Sequence, residues 1–372
     1  MAAWVEEGRS PSIIVLAARR GRIVLHEAFG VLGPGADSPP LERDSVFPAS
    51  SITKPMMATA LMILVEDGLV GLNRPVVEYI PELCGEGADQ ICVHHLLTHT
   101  SGYMDDELSE LFAKRRAEGF RPRSVESTQH RAVQTYLEAL LDAPLGKAPG
   151  EEMSYGSYNY TLLGEIVRRV SDQPLADFFD DRLFGPLGMS ESWLVLPEAI
   201  RPRVVRFPED AGAARFFAAR GLDINSRKHE TTPWADGGAY STVQDLAVFG
   251  QTFLNGGSYG GTRLLGPRTV KAMTRNHIPG VGTQFFSEYH KEASWGLGWT
   301  IASNDKWKYY KSAMAPIGSY NHGGMGNSIL LIDPFNELVL VYFEVGMRLS
   351  EAEETITHQE LFHNIIYSAL DD

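Results

Sequence analysis

Cysteine is scarce. The 372-residue chain has two, Cys84 and Cys92, too few for disulfides to hold a fold of this size. No apolar run approaches the roughly 18 residues of a membrane-spanning helix; the longest, residues 56–65, has the length of a core helix. Positive charge is short as well, with 33 Lys+Arg against 47 Asp+Glu and a net charge of −14. A surface of that sign repels phosphate backbones and anionic headgroups, which argues against nucleic-acid and membrane partners. The first residues, Met1-Ala-Ala-Trp-Val-Glu-Glu, are acidic and lack the apolar stretch of a secretory signal, so a cytoplasmic location with free thiols is the expectation. Internal repeats, low-complexity tracts and linkers are missing too.

What is present is ordinary globular material, 44% hydrophobic and 22% charged, far from the composition that stays unfolded. At roughly 150 residues per domain, the length suggests two domains or one large one. The β-rich runs at 12–18 and 23–29 are separated by Arg19-Arg20-Gly21-Arg22 and read as a hairpin. A second pair, 328–333 and 338–344, flanks Pro334-Phe-Asn-Glu337, and a closing helix follows over 351–370. Between these ends the apolar spacing is helical at 53–67 (with Gly68 as C-cap), 131–141, 160–170 and 242–254. Strand signals are sparse from 68 to 195. The fold expected is therefore α+β: an antiparallel sheet with flanking helices built from both termini (1–71 and 196–372), and an inserted helical domain (72–195), with the active site in the cleft between them. The segments 104–123, 201–236 and 277–294 carry no assignable pattern and are read as loops.

Ser51-Ile52-Thr53-Lys54 opens the first long helix. Positions i and i+3 share a helix face, so the Lys54 amine reaches the Ser51 hydroxyl. A serine hydroxyl needs a neighbour to take its proton, and an amine can do so when burial and nearby cations lower its pKa. The helix start also leaves N–H groups free to face a developing oxyanion. A second Ser-x-x-Lys, Ser303 to Lys306, lies in a polar turn and reads as a solvated loop. Tyr155 precedes a helix within a Gly/Ser-rich loop, where a phenol near cations can shuttle a proton. His322-Gly323-Gly324 precedes a strand, and its small residues allow close approach to a sheet edge. Gly256-Gly-Ser258-Tyr-Gly260 matches a nucleophile elbow but lacks the strand before and helix after it. His95 and His99 share a helix face at i, i+4 without a metalloprotease glutamate and read as packed side chains. Asp105-Asp106-Glu107 reads as a solvated loop, and no metal or cofactor site emerges.

In this order and context the segments resemble the serine β-lactamase and penicillin-binding-protein superfamily. The likeness is greatest to its class C β-lactamase-like branch, which includes the family VIII esterases. Phe47-Pro-Ala-Ser-Ser-Ile-Thr-Lys-Pro55, His95-Leu-Leu-Thr-His-Thr-Ser-Gly102, residues 149–164, Leu183-Phe-Gly-Pro-Leu-Gly-Met189, Ala239-Tyr-Ser-Thr-Val-Gln-Asp-Leu246 and His322-Gly-Gly324 carry the resemblance over nearly the whole chain. It implies Ser51 as acylated nucleophile, Lys54 as its proton acceptor, and Tyr155 as general base and then acid toward the leaving group. His322 stands where the lactamases carry a lysine. The resemblance further implies an oxyanion hole from the backbone N–H groups of Ser51 and Met325, with Ser157, Gly323 and Gly324 as substrate-binding positions. Two departures matter: Ser157 replaces an asparagine of the lactamases, with Ser157-Tyr158-Asn159 as a rival register, and His322 replaces a fixed positive charge, which a partly protonated histidine could supply in part. Both changes, and in the same direction the −14 charge, favour a carboxylesterase acting on small or medium esters. β-Lactam or D-amino-acid peptide amide hydrolysis is the alternative, and a catalytically silent, penicillin-binding-like scaffold or sensor a third reading.

Overall fold

Ser12–Arg19 and Arg22–Gly30 form strands joined by Arg20 and Gly21, whose φ values of 49° and 71° are both positive, as a two-residue type I′ turn requires. In the computed structural model, which describes residues 1–219, 222–285, 288–304, 312–346 and 352–371, this hairpin joins the one at the far end of the chain. Ser12–Arg19 pairs antiparallel with Leu338–Glu344, with Leu16 opposite Val341. The six-stranded antiparallel sheet runs in the order Thr300–Ile301, Tyr320–Gly324, Ser328–Asp333, Leu338–Glu344, Ser12–Arg19, Arg22–Gly30. The expected α+β fold, with one sheet drawn from both ends of the chain, is the one observed.

Ser12–Arg19 reads as a continuous apolar run because both its faces are covered. Ile13, Val15 and Ala17 face a core closed by Phe362 and Tyr367 of the helix Ala352–Ser368, while Ile14, Leu16 and Ala18 face the main core. Each large apolar side chain so buried contributes about 1.5–3 kcal/mol of transfer free energy. The helix Val243–Leu254 lies on the main-core face, close enough that a Cβ at Gly250 would stand 2.7 Å from Val339 Cγ1. A smaller three-stranded patch, Phe47–Pro48, Tyr240–Ser241 and Ser192–Trp193, ties the chain just before Ser51 to the stretch after residue 236.

The helices expected at 53–67 and 242–254 are Thr53–Glu66 and Val243–Leu254; that at 131–141 is shorter, Arg131–Glu138, and that at 160–170 longer, Ser157–Ser171. The supposed loop 104–123 is mostly the helix Asp105–Ala117, so Asp105-Asp106-Glu107 is no loop but its first turn. Lys114, Arg115 and Arg116 fill the last turn, an arrangement matched to the helix dipole. It escaped pattern reading because Leu108 is its one buried side chain. The polar stretch 201–236 holds Gly212–Ala219 and Arg227–Glu230, following the 3-10 turn Glu198–Arg203. It is organised around the buried Glu230 carboxylate, which accepts from Arg201 Nε at 2.7 Å and Arg206 Nη1 at 2.5 Å. Segment 277–294 contains the short strands Thr283–Phe285 and Glu288–His290. Both cysteines are free thiols. Among the described residues, no helix is long and apolar enough to cross a membrane.

Candidate active site

Ser51 lies in a 3-10 turn, Ser50–Ile52, that runs directly into the helix Thr53–Glu66. The three-residue spacing brings the two side chains together: Lys54 Nζ donates to Ser51 Oγ at 3.1 Å and to the Asp236 carbonyl oxygen at 2.8 Å. Ser51 is half-buried, whereas Lys54 is 1% exposed. The preceding residue, Ser50, takes a left-handed φ of 49° and donates its hydroxyl to the Met325 carbonyl at 3.1 Å. A non-glycine residue in that region is strained, and such strain persists where surrounding contacts impose it.

Tyr155 joins this pair from the loop before the helix Ser157–Ser171. Lys54 Nζ lies 4.9 Å from its ring centroid, and the rings of His99, Trp295 and His322 stand 4.5, 5.9 and 6.1 Å away. His99 is fully buried. It does not share a helix face with His95, because the helix Val93–Leu97 ends before it and its φ is 57°. Burial, with the Lys54 charge acting in the same direction, holds its pKa well below the usual imidazole range. Among the described residues no group of His, Cys, Asp and Glu could hold a metal ion.

His322 sits on the strand Tyr320–Gly324, with Nδ1–H donating to the Gly323 carbonyl at 2.8 Å and Nε2 buried without a hydrogen-bond partner. Burial, reinforced by Lys54, pushes its pKa down to about 3. The imidazole is therefore uncharged near neutrality, against the expectation of partial positive charge at this position. Two residues on, a Cβ at Gly324 would stand 2.2 Å from Ser328 Oγ and 2.6 Å from the Ala49 carbonyl oxygen. Glycine alone lets this strand end close against the turn that carries Ser51. Met325 follows, half-buried, its carbonyl holding the Ser50 hydroxyl.

Ser157 is half-buried at the start of its helix, its N–H donating to Asp105 Oδ1 at 2.9 Å. The rival position, Asn159, is 1% exposed and its Oδ1 accepts from Ser101 Oγ at 2.6 Å, so its amide is engaged in the interior. Ser258 lies in a short strand that follows the helix Val243–Leu254 and pairs with Thr262–Arg263, which is no nucleophile elbow. Lys306 of the second Ser-x-x-Lys lies outside the described residues. Two groups at the site escaped the sequence reading. Asp236 contributes a backbone carbonyl, which has no side-chain signature, and Trp295 comes from a segment without periodicity. The assembled group offers a hydroxyl, an adjacent amine, a phenol ring beside that amine and a neutral imidazole, which suits nucleophilic attack with proton transfer nearby.

Against known proteins, the Beta-lactamase family matches residues 1–361. The chain is 26% identical over 368 residues to a putative D-alanyl-D-alanine carboxypeptidase of Salmonella enteritidis PT4 (strain P125109), covering 91% of this chain and 80% of that one. In structure it is similar to a penicillin-binding protein homologue from Caulobacter crescentus, with a TM-score of 0.74, 19% identity and coverage of 97% and 94%. It is similar to a family VIII carboxylesterase at a TM-score of 0.72, 21% identity and coverage of 96% and 95%.

The Gly324 contact predicts that Gly324→Ala slows labelling of Ser51 by a fluorophosphonate probe at least about tenfold, since the hairpin must move off the Ser51 turn. Gly323→Ala, whose Cβ would meet Ser328 O at 3.6 Å, leaves the rate nearly unchanged; equal effects would show that the close approach is irrelevant. A second prediction concerns acid. His322 stays neutral in the fold down to about pH 3 but takes a proton near pH 6.5 once unfolded. The unfolded chain then binds more protons, so this contribution to stability is full above about pH 6.5 and is lost as pH falls toward 3. Urea midpoints measured between pH 7.5 and 5 fall, and His322→Asn flattens the dependence by up to about 1.4 kcal/mol per pH unit. An unaltered slope in that variant would contradict the burial of a neutral imidazole.

Proposed function

The chain belongs to the Beta-lactamase family and is a serine hydrolase, and from that premise we propose that it cleaves small to medium carboxylic esters through an acyl-enzyme on Ser51. Ser51 Oγ attacks the ester carbonyl carbon while its proton passes to the Lys54 amine. The tetrahedral oxyanion is held by the backbone N–H groups of Ser51 and Met325. Tyr155, acting with Lys54, hands the proton to the departing alkoxide, which leaves as the alcohol. Water then attacks the acyl carbon, loses a proton to the same amine and phenol, and releases the carboxylic acid and free Ser51. Ser157, Gly323 and Gly324 line the acyl side. The substrate is a small molecule bound in the cleft between the sheet part, 1–71 and 196–372, and the helical part, 72–195. What supports a shared cleft is that Lys54 and Tyr155, one from each part, meet at 4.9 Å.

The observation that carries the choice of ester is the buried His322, with Nδ1 on the Gly323 carbonyl and Nε2 without a partner, surroundings that together with Lys54 push its pKa down and leave it uncharged. A β-lactam or peptide carboxylate gains from a fixed cation at that position, whereas a neutral ester has no such need. The amide reading is favoured by the putative carboxypeptidase among the relatives, so amides belong in the test. Purified protein is expected to turn over p-nitrophenyl butyrate, and Ser51→Ala to lose at least about 10³-fold in kcat, with an acyl adduct on Ser51 in mass spectra of the wild type. Nitrocefin or a D-alanyl-D-alanine peptide cleaved at the ester rate would replace the esterase reading with the amide one. Absence of any adduct from ester, β-lactam or fluorophosphonate would leave a catalytically silent scaffold.

A further inference from the structure

Tyr155 is held by one residue, His99, through the peptide groups on both of its sides. The Ser154 N–H donates to the His99 carbonyl at 2.9 Å, and the Gly156 N–H donates to His99 Nδ1 at 3.2 Å. The ring of His99 also packs 4.5 Å from that of Tyr155, and Tyr160 and Trp295 enclose it at 5.1 and 5.3 Å.

The hydrogen-bond network fixes the state of this imidazole. Ser101 Oγ donates to Asn159 Oδ1 at 2.6 Å, which sets the amide orientation and turns Asn159 Nδ2 toward His99 Nδ1 at 3.4 Å. Nδ1 therefore faces two N–H donors and must be the lone-pair nitrogen, so the proton resides on Nε2. Protonating Nδ1 would break the bond to Gly156, and burial next to Lys54 opposes it further. The left-handed backbone of His99, at φ 57°, aims its carbonyl and side chain at the same short segment, a strained conformation that these contacts impose.

We propose that His99 is a positioning residue for Tyr155: its carbonyl and its Nδ1 acceptor clamp the 154–156 peptide so that the phenol stays beside the Lys54 amine. The proposal rests on the reading in which Tyr155 moves the proton, and extends it to a residue that does not touch substrate. Proton transfer depends steeply on placement, and misplacement of about 1 Å can cost on the order of 100-fold.

The test uses the full chain with p-nitrophenyl butyrate. His99→Phe keeps an aromatic ring of similar size but removes the acceptor, and is expected to lower kcat between about tenfold and a hundredfold with KM little changed. His99→Asn puts an acceptor near the Nδ1 position and tolerates positive φ, so it recovers most of kcat even though it fills the site less well. A filler role gives the opposite order, with Phe better than Asn, and that order overturns the proposal. Should the Phe variant not fold, His99→Gln replaces it. Its acceptor lies one carbon further out, so kcat equal to that of the Asn variant would count against the clamp. In a double-mutant cycle His99→Phe adds nothing to Tyr155→Phe; additive losses would sink the proposal while leaving the role of Tyr155 intact. A fully active Tyr155→Phe would instead remove the premise, and the clamp with it.

Discussion

The amine of Lys54 is the point on which the candidate site is built. It is almost wholly buried and donates to the Ser51 hydroxyl and the Asp236 carbonyl. A donor withdrawn from water needs partners in place, and losing one costs about 1–3 kcal/mol. Both acceptors are therefore structural requirements before they are chemical ones. The Asp236 carbonyl is set by its surroundings. The Gly238 N–H donates to the Trp234 carbonyl at 2.8 Å, the Ala239 N–H to Thr53 Oγ1 at 3.0 Å, and the Ala49 N–H to the Ala239 carbonyl at 2.8 Å. Two segments some 180 residues apart in sequence are thus bolted together on either side of one side chain.

The sheet supplies the other half of the geometry. Its strand Tyr320–Gly324 ends against Ala49 and Ser50, and the turn that follows is braced from below. Asn327, with φ 76°, donates Nδ2 to the buried Glu344 carboxylate, which also accepts from the Tyr342 hydroxyl at 3.0 Å and contacts His358 Nδ1 at 3.0 Å. His358 belongs to the C-terminal helix, and its ring stacks on Trp4 at 4.1 Å. Both chain ends therefore press on the hairpin that presents Met325. A sheet assembled from the two termini thus has a physical consequence, since the strand and turn that carry site residues are braced by elements from both ends of the chain.

Much of this was legible because it depends on local rules. Period-two and period-3.6 patterns mark the sheet strands and the long helices, and the i, i+3 spacing of Ser51 and Lys54 is a statement about helix geometry that the 3.1 Å contact repeats. What stayed hidden has non-local causes. The helix Asp105–Ala117 is stabilised by charges at its ends and buries one residue, so it has no apolar stripe to read. The stretch around Glu230 folds about one buried carboxylate and arginines drawn from several turns. Asp236 acts through its backbone. His99 was visible as a residue but misplaced, because a left-handed φ just past a helix end cannot be read from spacing.

The protonation states around Lys54 narrow which groups can carry a proton. A general base works best when its pKa lies near the operating pH. His322, at about 3, is far too weak a base for that task near neutrality, and His99 is suppressed by the same burial and is engaged at Nδ1. The presence of serine and histidine in one pocket is therefore no sign of a serine–histidine relay. The imidazoles stand as neutral walls of the site, and in the proposed mechanism the proton moves among Ser51, Lys54 and Tyr155, whose hydroxyl, amine and ring lie together. Neutrality of those walls has a second effect, because a further cation beside Lys54 would strengthen anion binding in the cleft. The overall charge of −14 gives no such help either. Under the proposed esterase reading, selection rests on shape and on hydrogen bonds to a neutral carbonyl compound, with the proposed donors at Ser51 and Met325 answering to the charge that develops only during attack.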